Sequence, residues 1–307
     1  MTKDADKTYC GYVAFIGAPN VGKSTLVNAL VGEKVTIVSS KVQTTRTRVL
    51  GILCEDKHQA ILIDTPGIFV PKGQLDRAMV NAAWQGAEEA DRLFLLIDVT
   101  RPDLDGKTGN IIKQIQKLQQ NKSKLKVDLV MNKIDKISRD KLLALAAQLN
   151  EKLDFDQTFM ISALKKNGLE ALKKHIKEQL PESPFMYEAD LASDMPMRLF
   201  AAEITREQIF RQLHQELPYA VTVETEEWEN FDNGDIKIQQ IIYVTRDSQK
   251  AIILGKGGQQ IKRIGEKARQ EIEAIMECKI HLKLFVKVDE DWQTDPERYA
   301  PWGLESV

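Results

Sequence analysis

Cysteine is scarce in this chain. The three among its 307 residues, Cys10, Cys54 and Cys278, are scattered, and no pair has metal-ligand spacing. That argues against a disulfide framework and a zinc site, and for a reduced, intracellular setting. Long apolar runs are lacking too, and no stretch reaches the length of a transmembrane helix. The first residues, MTKDADKTYCGYV, are polar and charged, without the apolar segment of a secretory signal. Secretion and membrane spanning are therefore not expected, while peripheral membrane contact stays open. Nor is there an excess of either charge. The formal net charge is -2, so any nucleic-acid surface has to be a local basic patch. Repeats and low-complexity segments are missing. The length suits about two domains.

The apolar pattern supplies the organisation. Short runs such as YVAFIG (12–17), HQAILID (58–64), RLFLLIDV (92–99), KVDLVMN (126–132) and TFMISA (158–163) read as buried strands. Between them lie helical patterns at 23–32, 74–90, 106–120, 141–153 and 169–180. That alternation predicts an α/β domain with a mostly parallel sheet flanked by helices. VLGILCE (49–55), close before the next strand, is the antiparallel candidate. Residues 33–47 are polar and β-branched, and read as a mobile loop. PESPFMYEADLASDMP (181–196), with three prolines and several acids, reads as a linker. Beyond it come an amphipathic helix (198–217), two alternating strands around FDNGD, a short helix, the loop GKGG, a long helix and a strictly alternating strand. This is an α+β unit of order α-β-β-α-α-β. The tail, 292–307, reads as irregular.

GAPNVGKS matches G-x-x-x-x-G-K-[ST] and lies where that motif belongs, after a strand and opening a helix. Its glycines let backbone N–H groups wrap phosphates, and the helix N-terminus favours negative charge. Lys23 then reaches the β/γ-phosphates and Ser24 binds Mg²⁺. The nucleotide-facing set is Gly17, Asn20, Val21, Gly22, Lys23, Ser24 and Thr25. The bland alternative is a glycine turn with an exposed lysine. Three further pieces follow in order. In DTPG, Asp64 holds the metal's water shell and Gly67 meets the γ-phosphate. In NKID, with Asn132 and Lys133, the acceptor-only carboxylate of Asp135 takes the two N–H donors of guanine. In SAL (Ser162, Ala163, Leu164), the Ala163 N–H is a donor for the guanine O6. All four sit at the carboxyl ends of predicted strands, where open α/β sheets bind ligands.

The second glycine-lysine loop, GKGG, lacks G-K-[ST], and Gln260 stands where G-x-G-x-x-G needs its last glycine. A helix precedes it. Helix–G-x-x-G–helix is instead the core of a KH domain, whose loop clamps the backbone of single-stranded nucleic acid. The RNA-facing candidates are Gly255, Lys256, Gly257, Gly258, Lys262, Arg263 and Lys267, with Arg269 nearby and Ile252, Ile253, Ile261 and Ile264 as an apolar floor. Lys279, Lys283 and Lys287 alternate along the last strand. They are either a second basic strip or an ordinary solvated face.

Together these motifs resemble the translation-factor-like P-loop GTPases over the first 180 residues. With GAPNVGKSTL, QTTR, DTPG, NKID, AAEITREQIF, ELPYAVTVE and the GKGG loop, the chain resembles the Era family. That resemblance implies a GTPase domain over 1–180, a linker over 181–196, a KH domain over 197–291 and a tail over 292–307. It also implies GTP/GDP and Mg²⁺ as ligands, with Thr45, or else Thr44, joining Ser24 and Asp64 on the metal. The implied partners are the 3′ end of 16S rRNA and the 30S ribosomal subunit. A monomer is expected, in the cytoplasm, with possible peripheral association at the inner membrane. Ile68 stands where Ras-like proteins place a water-orienting glutamine, so slow intrinsic hydrolysis is expected. Asn20 matches relatives in which K⁺ replaces an arginine finger, and is equally a good turn residue. Trp292 and Tyr299 either stack on bases or pack against the KH domain. The competing readings are a nucleotide-insensitive RNA tether and a GTPase acting on another RNA.

Overall fold

The computed structural model describes residues 7–39, 41, 44–122, 125–213 and 220–304. Strands β1 (Tyr9–Ile16), β2 (Val49–Glu55), β3 (His58–Asp64), β4 (Arg92–Asp98), β5 (Lys126–Asn132) and β6 (Thr158–Ile161) form one sheet, in the order β2-β3-β1-β4-β5-β6. β2 pairs antiparallel with β3 and the remaining pairs are parallel. Helices α1 (Lys23–Val31), α2 (Gln74–Glu89), α3 (Lys107–Asn121), α4 (Arg139–Lys152) and α5 (Leu169–Glu178) cover its two faces. Apolar runs rich in Val, Ile and Leu suit strands buried on both sides. Register then does the positioning. Phe15 lies opposite Asp64, and Asp98 opposite Asn132, so the four motif loops leave the sheet at one level. The chain reverses its winding about β1, which neighbours both β3 and β4, and this opens a crevice at the carboxyl edge.

The second unit is a three-stranded sheet, β7 (Val221–Asn230), β8 (Ile236–Val244) and β9 (Ile280–Val288), with β8 parallel to β9. Helices α6 (Met197–Gln212), α7 (Asp247–Leu254) and α8 (Gln259–Met276) pack on one face through Ile209, Ile242, Ile253, Ile264 and Val286. This is the expected α-β-β-α-α-β order.

Three expectations need correction, and the expected linker is given its course. The helix expected over 198–217 is not one-sided: α6 is buried all round from Phe200 to Phe210. It lies between its own sheet and loop 33–47, so its polar residues find partners in place of water. Thr205 donates to Gln240 at 2.6 Å, and Val38 donates to Glu207 at 2.8 Å. Residues 214–217 of that expected helix, like Gln43 of QTTR and 305–307 of the tail, fall outside the described residues. The described residues of loop 33–47 are irregular, but they are seated: Val35, Thr36, Ile37 and Thr44 to Thr47 are buried. The tail gains a helical turn, α9 (Pro296–Tyr299), capped by the Asp295 carboxylate on Glu297 N–H. Within it Trp292 and Tyr299 are fully buried, packed with Trp302 against Tyr243 and the Leu75–Met79 face of α2. The packing alternative holds, and neither ring is presented to a base. Finally, segment 181–196 runs bonded along the first sheet, with Cys10 N–H on Pro181 and Ile52 N–H on Ala192.

Candidate functional site

The first loop earns its glycines by close approach. A Cβ on Gly17 would lie 2.4 Å from the Leu96 carbonyl oxygen, and one on Gly22 (φ 102°) 2.4 Å from Asn132 Nδ2. The loop therefore lies flat on the ends of β4 and β5. It borders a cleft of ≈ 920 Å³ lined by Asn20, Val21, Gly22, Lys23, Ser24 and Thr25, with Thr45 and Gly67 opposite. A Cβ on Gly67 would meet Pro19 at 2.8 Å, so DTPG touches the loop directly. Lys23 is buried, not an exposed turn lysine. Its ammonium donates to the carbonyls of Gly17 (3.2 Å) and Ala18 (3.4 Å). Burial pushes its pKa down to about 8, against the opposing pull of Asp64.

Ser24, Thr45 and Asp64 converge as expected. Ser24 Oγ lies 2.7 Å from Thr45 Oγ1, and Thr45 Oγ1 donates to Asp64 Oδ2 at 3.4 Å. Thr44 turns elsewhere, to the Lys41 carbonyl and Ser39. Thr36, which sequence reading missed, donates to Asp64 Oδ2 at 3.0 Å, while Asn28 Oδ1 holds the Val35 and Thr36 amides. Burial raises the Asp64 pKa, opposed by these hydroxyls and by Lys23. Its Oδ1 is buried and has no hydrogen-bond partner among the described residues. Three hydroxyls around one carboxylate with an orphaned oxygen suit a hard cation such as Mg²⁺.

NKID and SAL are joined through Asn132. Its Nδ2 donates to the Val21 carbonyl (2.8 Å), and its Oδ1 accepts from the Lys133 N–H (2.8 Å) and the Ala163 N–H (3.0 Å). The Ala163 amide assigned above to guanine O6 is thus engaged in tying two loops together, and would have to share its hydrogen to serve a base. Ser162 Oγ donates to Asp135 Oδ1 at 2.8 Å and holds that carboxyl below its ordinary range, while Lys165 Nζ lies 3.6 Å from Oδ2. Lys133, at φ 67°, bridges the Asn20 carbonyl (2.8 Å) and Asp98 (2.6 Å). Burial pushes Asp98 up, but the Lys133 and Thr100 bonds prevail and it stays ionised below the usual range. Asp98 was the second miss: it reads as the end of a strand and carries no motif. Leu164 is 79% exposed. Ile68 is buried, its N–H on the Gly17 carbonyl (3.0 Å), and it presents nothing to polarise a water. Asn20 takes φ 65°, a turn conformation that leaves the turn and cation readings both standing.

In the second unit Gly255, Gly257 and Gly258 all have positive φ (68°, 59° and 75°), and Lys256 to Gly258 form a tight turn between α7 and α8. No atom lies within 4 Å of a Cβ built on Gly257 or Gly258, so the outer side of the turn is open. Lys256, Lys262, Arg263 and Lys267 are on or near the surface around it, and Ile252 is 54% exposed. Ile253 and Ile264, by contrast, are core residues, so the apolar floor is narrower than four isoleucines. The β9 lysines belong elsewhere. Leu284 packs on Gly265 of α8, so Lys283 and Lys287 project from the opposite face, and Lys287 pairs with Glu226 at 3.7 Å. They are the solvated face. Among the described residues no helix is long and apolar enough to cross a membrane.

Comparison with known proteins agrees with both loops. Residues 12–133 match the 50S ribosome-binding GTPase family model and 216–293 the KH domain model. The chain is 54% identical to GTPase Era of Afipia carboxidovorans, over 99% of this chain and 96% of that one. It is 51% identical to GTPase Era of Brucella suis, over 98% and 95%. Two crystal structures superpose with a TM-score of 0.90 at 40% identity, covering 96% of this chain and 99% of theirs. One is an Aquifex aeolicus Era variant bound to GDP·AlF4⁻. The other is Era in complex with MgGDPNP and nucleotides 1506–1542 of 16S ribosomal RNA. With similarity of this depth running through both units and the segment between them, the chain belongs to the Era family of GTPases.

Proposed function

We propose that this protein is a GTP-hydrolysing switch that binds the single-stranded 3′ end of 16S rRNA through its KH domain and acts in maturation of the 30S subunit. The observation that carries the reading is the pairing, in one chain, of the Ser24–Thr45–Asp64 cluster beside a buried phosphate-loop lysine with an open GKGG turn between two helices. A relative of 40% identity, crystallised with MgGDPNP and 16S rRNA, supports the same pairing of ligands. The proposed division is a GTPase domain over 1–180, a linker over 181–196, a KH domain over 197–291 and a tail over 292–307.

Lys23 and the amides of Gly22 to Thr25 take the phosphates. Ser24, Thr45 and Asp64 hold Mg²⁺, which supplies charge neutralisation between the β- and γ-phosphates. Asp135 selects guanine, and Asn132 with Lys133 braces that loop against the phosphate loop. Gly255 to Gly258 clamp the RNA backbone, with Lys262, Arg263 and Lys267 adding phosphate contacts. Without a glutamine at Ile68, intrinsic turnover is slow. Potassium assistance at Asn20 belongs to the proposal, and is checked by exchanging Na⁺ for K⁺ in a hydrolysis assay. A monomer in the cytoplasm, with peripheral inner-membrane association, follows the family resemblance and is checked by sedimentation and fractionation.

The test is anisotropy of a labelled RNA copying the 16S 3′ end, at fixed salt because phosphate contacts are salt-dependent. Binding that is tight with a non-hydrolysable GTP analogue and weak with GDP is the expected result. Equal binding in both states makes the protein a nucleotide-insensitive tether. Tighter binding to tRNA or duplex RNA makes it a GTPase of another RNA.

A further inference from the structure

The loop that presents Thr45 is gripped by the second unit on both sides of that residue. Upstream, the Arg206 guanidinium of α6 donates to the Thr44 carbonyl. Arg206 is fully buried, braced by Glu203 (Nε to Oε1, 2.7 Å), and lies 4.9 Å from the centroid of Phe210. Downstream, the Arg46 guanidinium sits 5.3 Å from Trp292 and 5.9 Å from Trp302, and donates to the Val221 carbonyl at 2.7 Å. The next residue, Thr47, donates its hydroxyl to the Trp302 carbonyl at 2.6 Å. Thr45, between these anchors, faces Ser24 and Asp64.

Two buried guanidiniums in one clasp are costly to desolvate, and burial pushes that of Arg46 down to about 9, with Arg206 adding to the effect. A purely cohesive interface would do as well with apolar side chains. What a guanidinium adds is direction, because it fixes a chosen carbonyl or aromatic face at a chosen point. Here the fixed points flank Thr45, which closes on the metal site beside Thr36. A loop with its neighbours already placed has less freedom to lose when it closes.

We propose that Arg206 and the Trp292–Trp302 pair are positioning residues for Thr45, so that the second unit completes the Mg²⁺-binding form of the loop and thereby sets the preference for triphosphate over diphosphate. This rests on the GTPase reading above. The family resemblance implies that Thr45 joins the metal in the triphosphate state, so loss of the clasp weakens triphosphate binding and spares GDP.

Fluorescent GDP and a non-hydrolysable fluorescent GTP analogue are titrated into the full chain at stepped Mg²⁺, for the unmodified protein and for Arg206→Met, Arg206→Lys and Trp302→Leu. Arg206→Met and Trp302→Leu are expected to weaken analogue binding, and to raise the Mg²⁺ needed for half-maximal analogue binding, by roughly tenfold, a usual size for coupling between sites. GDP affinity stays within about twofold, below the range of such coupling, and Arg206→Lys restores part of the loss. An unchanged analogue-to-GDP ratio, even with a lowered melting temperature, overturns the proposal and leaves the clasp a domain fastener. If Arg206→Met fails to fold because Glu203 is left unpaired, Trp302→Leu decides alone, and an unchanged ratio there also overturns it. Failure of the GTPase reading looks different: the unmodified protein itself would then show no Mg²⁺-dependent binding of the analogue.

Discussion

The two glycine-lysine loops are alike in composition and opposite in construction. The first leaves a strand and enters a helix, and its glycines are there because neighbouring chain comes too close for a Cβ. Its lysine is 6% exposed, turned inward onto carbonyls. The second joins two helices, and its glycines are there because three residues take left-handed conformations, with empty space outside Gly257 and Gly258. Its lysine faces water. An inward loop encloses a small ligand whose size is known in advance, and discriminates by enclosure. An outward loop grips a repeating backbone of any length, and discrimination falls to the bases beside it. Glycine content alone carries neither meaning; the flanking elements decide.

The contrast can be broken most severely at Lys23. Lys23→Ala removes the only cation placed within the phosphate loop, and single-turnover GTP hydrolysis should fall by roughly 10³-fold, the scale of losing a main transition-state contact. RNA affinity in the absence of nucleotide should not move. Asp135→Asn comes next. It keeps the shape but swaps an acceptor for a donor, so competition binding should show preference moving from GTP to xanthosine triphosphate by roughly 100-fold. Retained GTP preference would remove Asp135 from the base site.

A smaller effect is expected at the outward loop. Lys256→Ala should weaken RNA binding uniformly across sequences and lower the slope of log affinity against log salt by about one. GTP hydrolysis without RNA should be unaffected. The smallest effect concerns pH. Lys23 titrates near 8 in the folded chain and near 10.5 unfolded. Between those values the unfolded state holds the extra proton, so the nucleotide-free protein gains stability as pH rises from about 8 to 10.5. Triphosphate affinity runs the other way and falls above about pH 8, as the ammonium that binds phosphate is lost. Lys23→Met should flatten both trends in melting curves and titrations, whereas Lys256→Ala should leave both in place.

The sheet was legible because its strands are buried on both faces and so stand out as unbroken apolar runs; β2, β3 and β5 begin and end where the sequence suggested. The Ser24–Asp64 pairing was legible because that chemistry admits few residue types. Thr45 could be told from Thr44 only by geometry, since both are threonines in one polar loop. Thr36 and Asp98 were missed because a threonine and a strand-end aspartate mean nothing until the chain folds them onto Asp64 and Lys133. The all-round burial of α6 was hidden for a related reason. Its Glu203, Arg206 and Glu207 look like a solvent face, but Arg206 and Glu207 find partners in a loop more than 150 residues upstream, and Glu203 braces Arg206. The Asn132 bond to the Ala163 amide was not legible either, because it joins two loops about 30 residues apart.

The segment between the two units deserves a mechanical reading. Backbone bonds fix it to the first sheet as far as the Gly51–Ser193 bridge, and α6 begins at Met197. Residues 194–196 are then the joint, a reach of about 10 Å when fully extended. The RNA-facing unit is therefore on a short crank, not a long leash. If the clasp at Arg46 and Arg206 lets go, the second unit cannot drift away; it swings about one point and returns at a high effective concentration. Opening and reclosing are then a matter of angle, and dilution of the protein should leave the balance between them untouched.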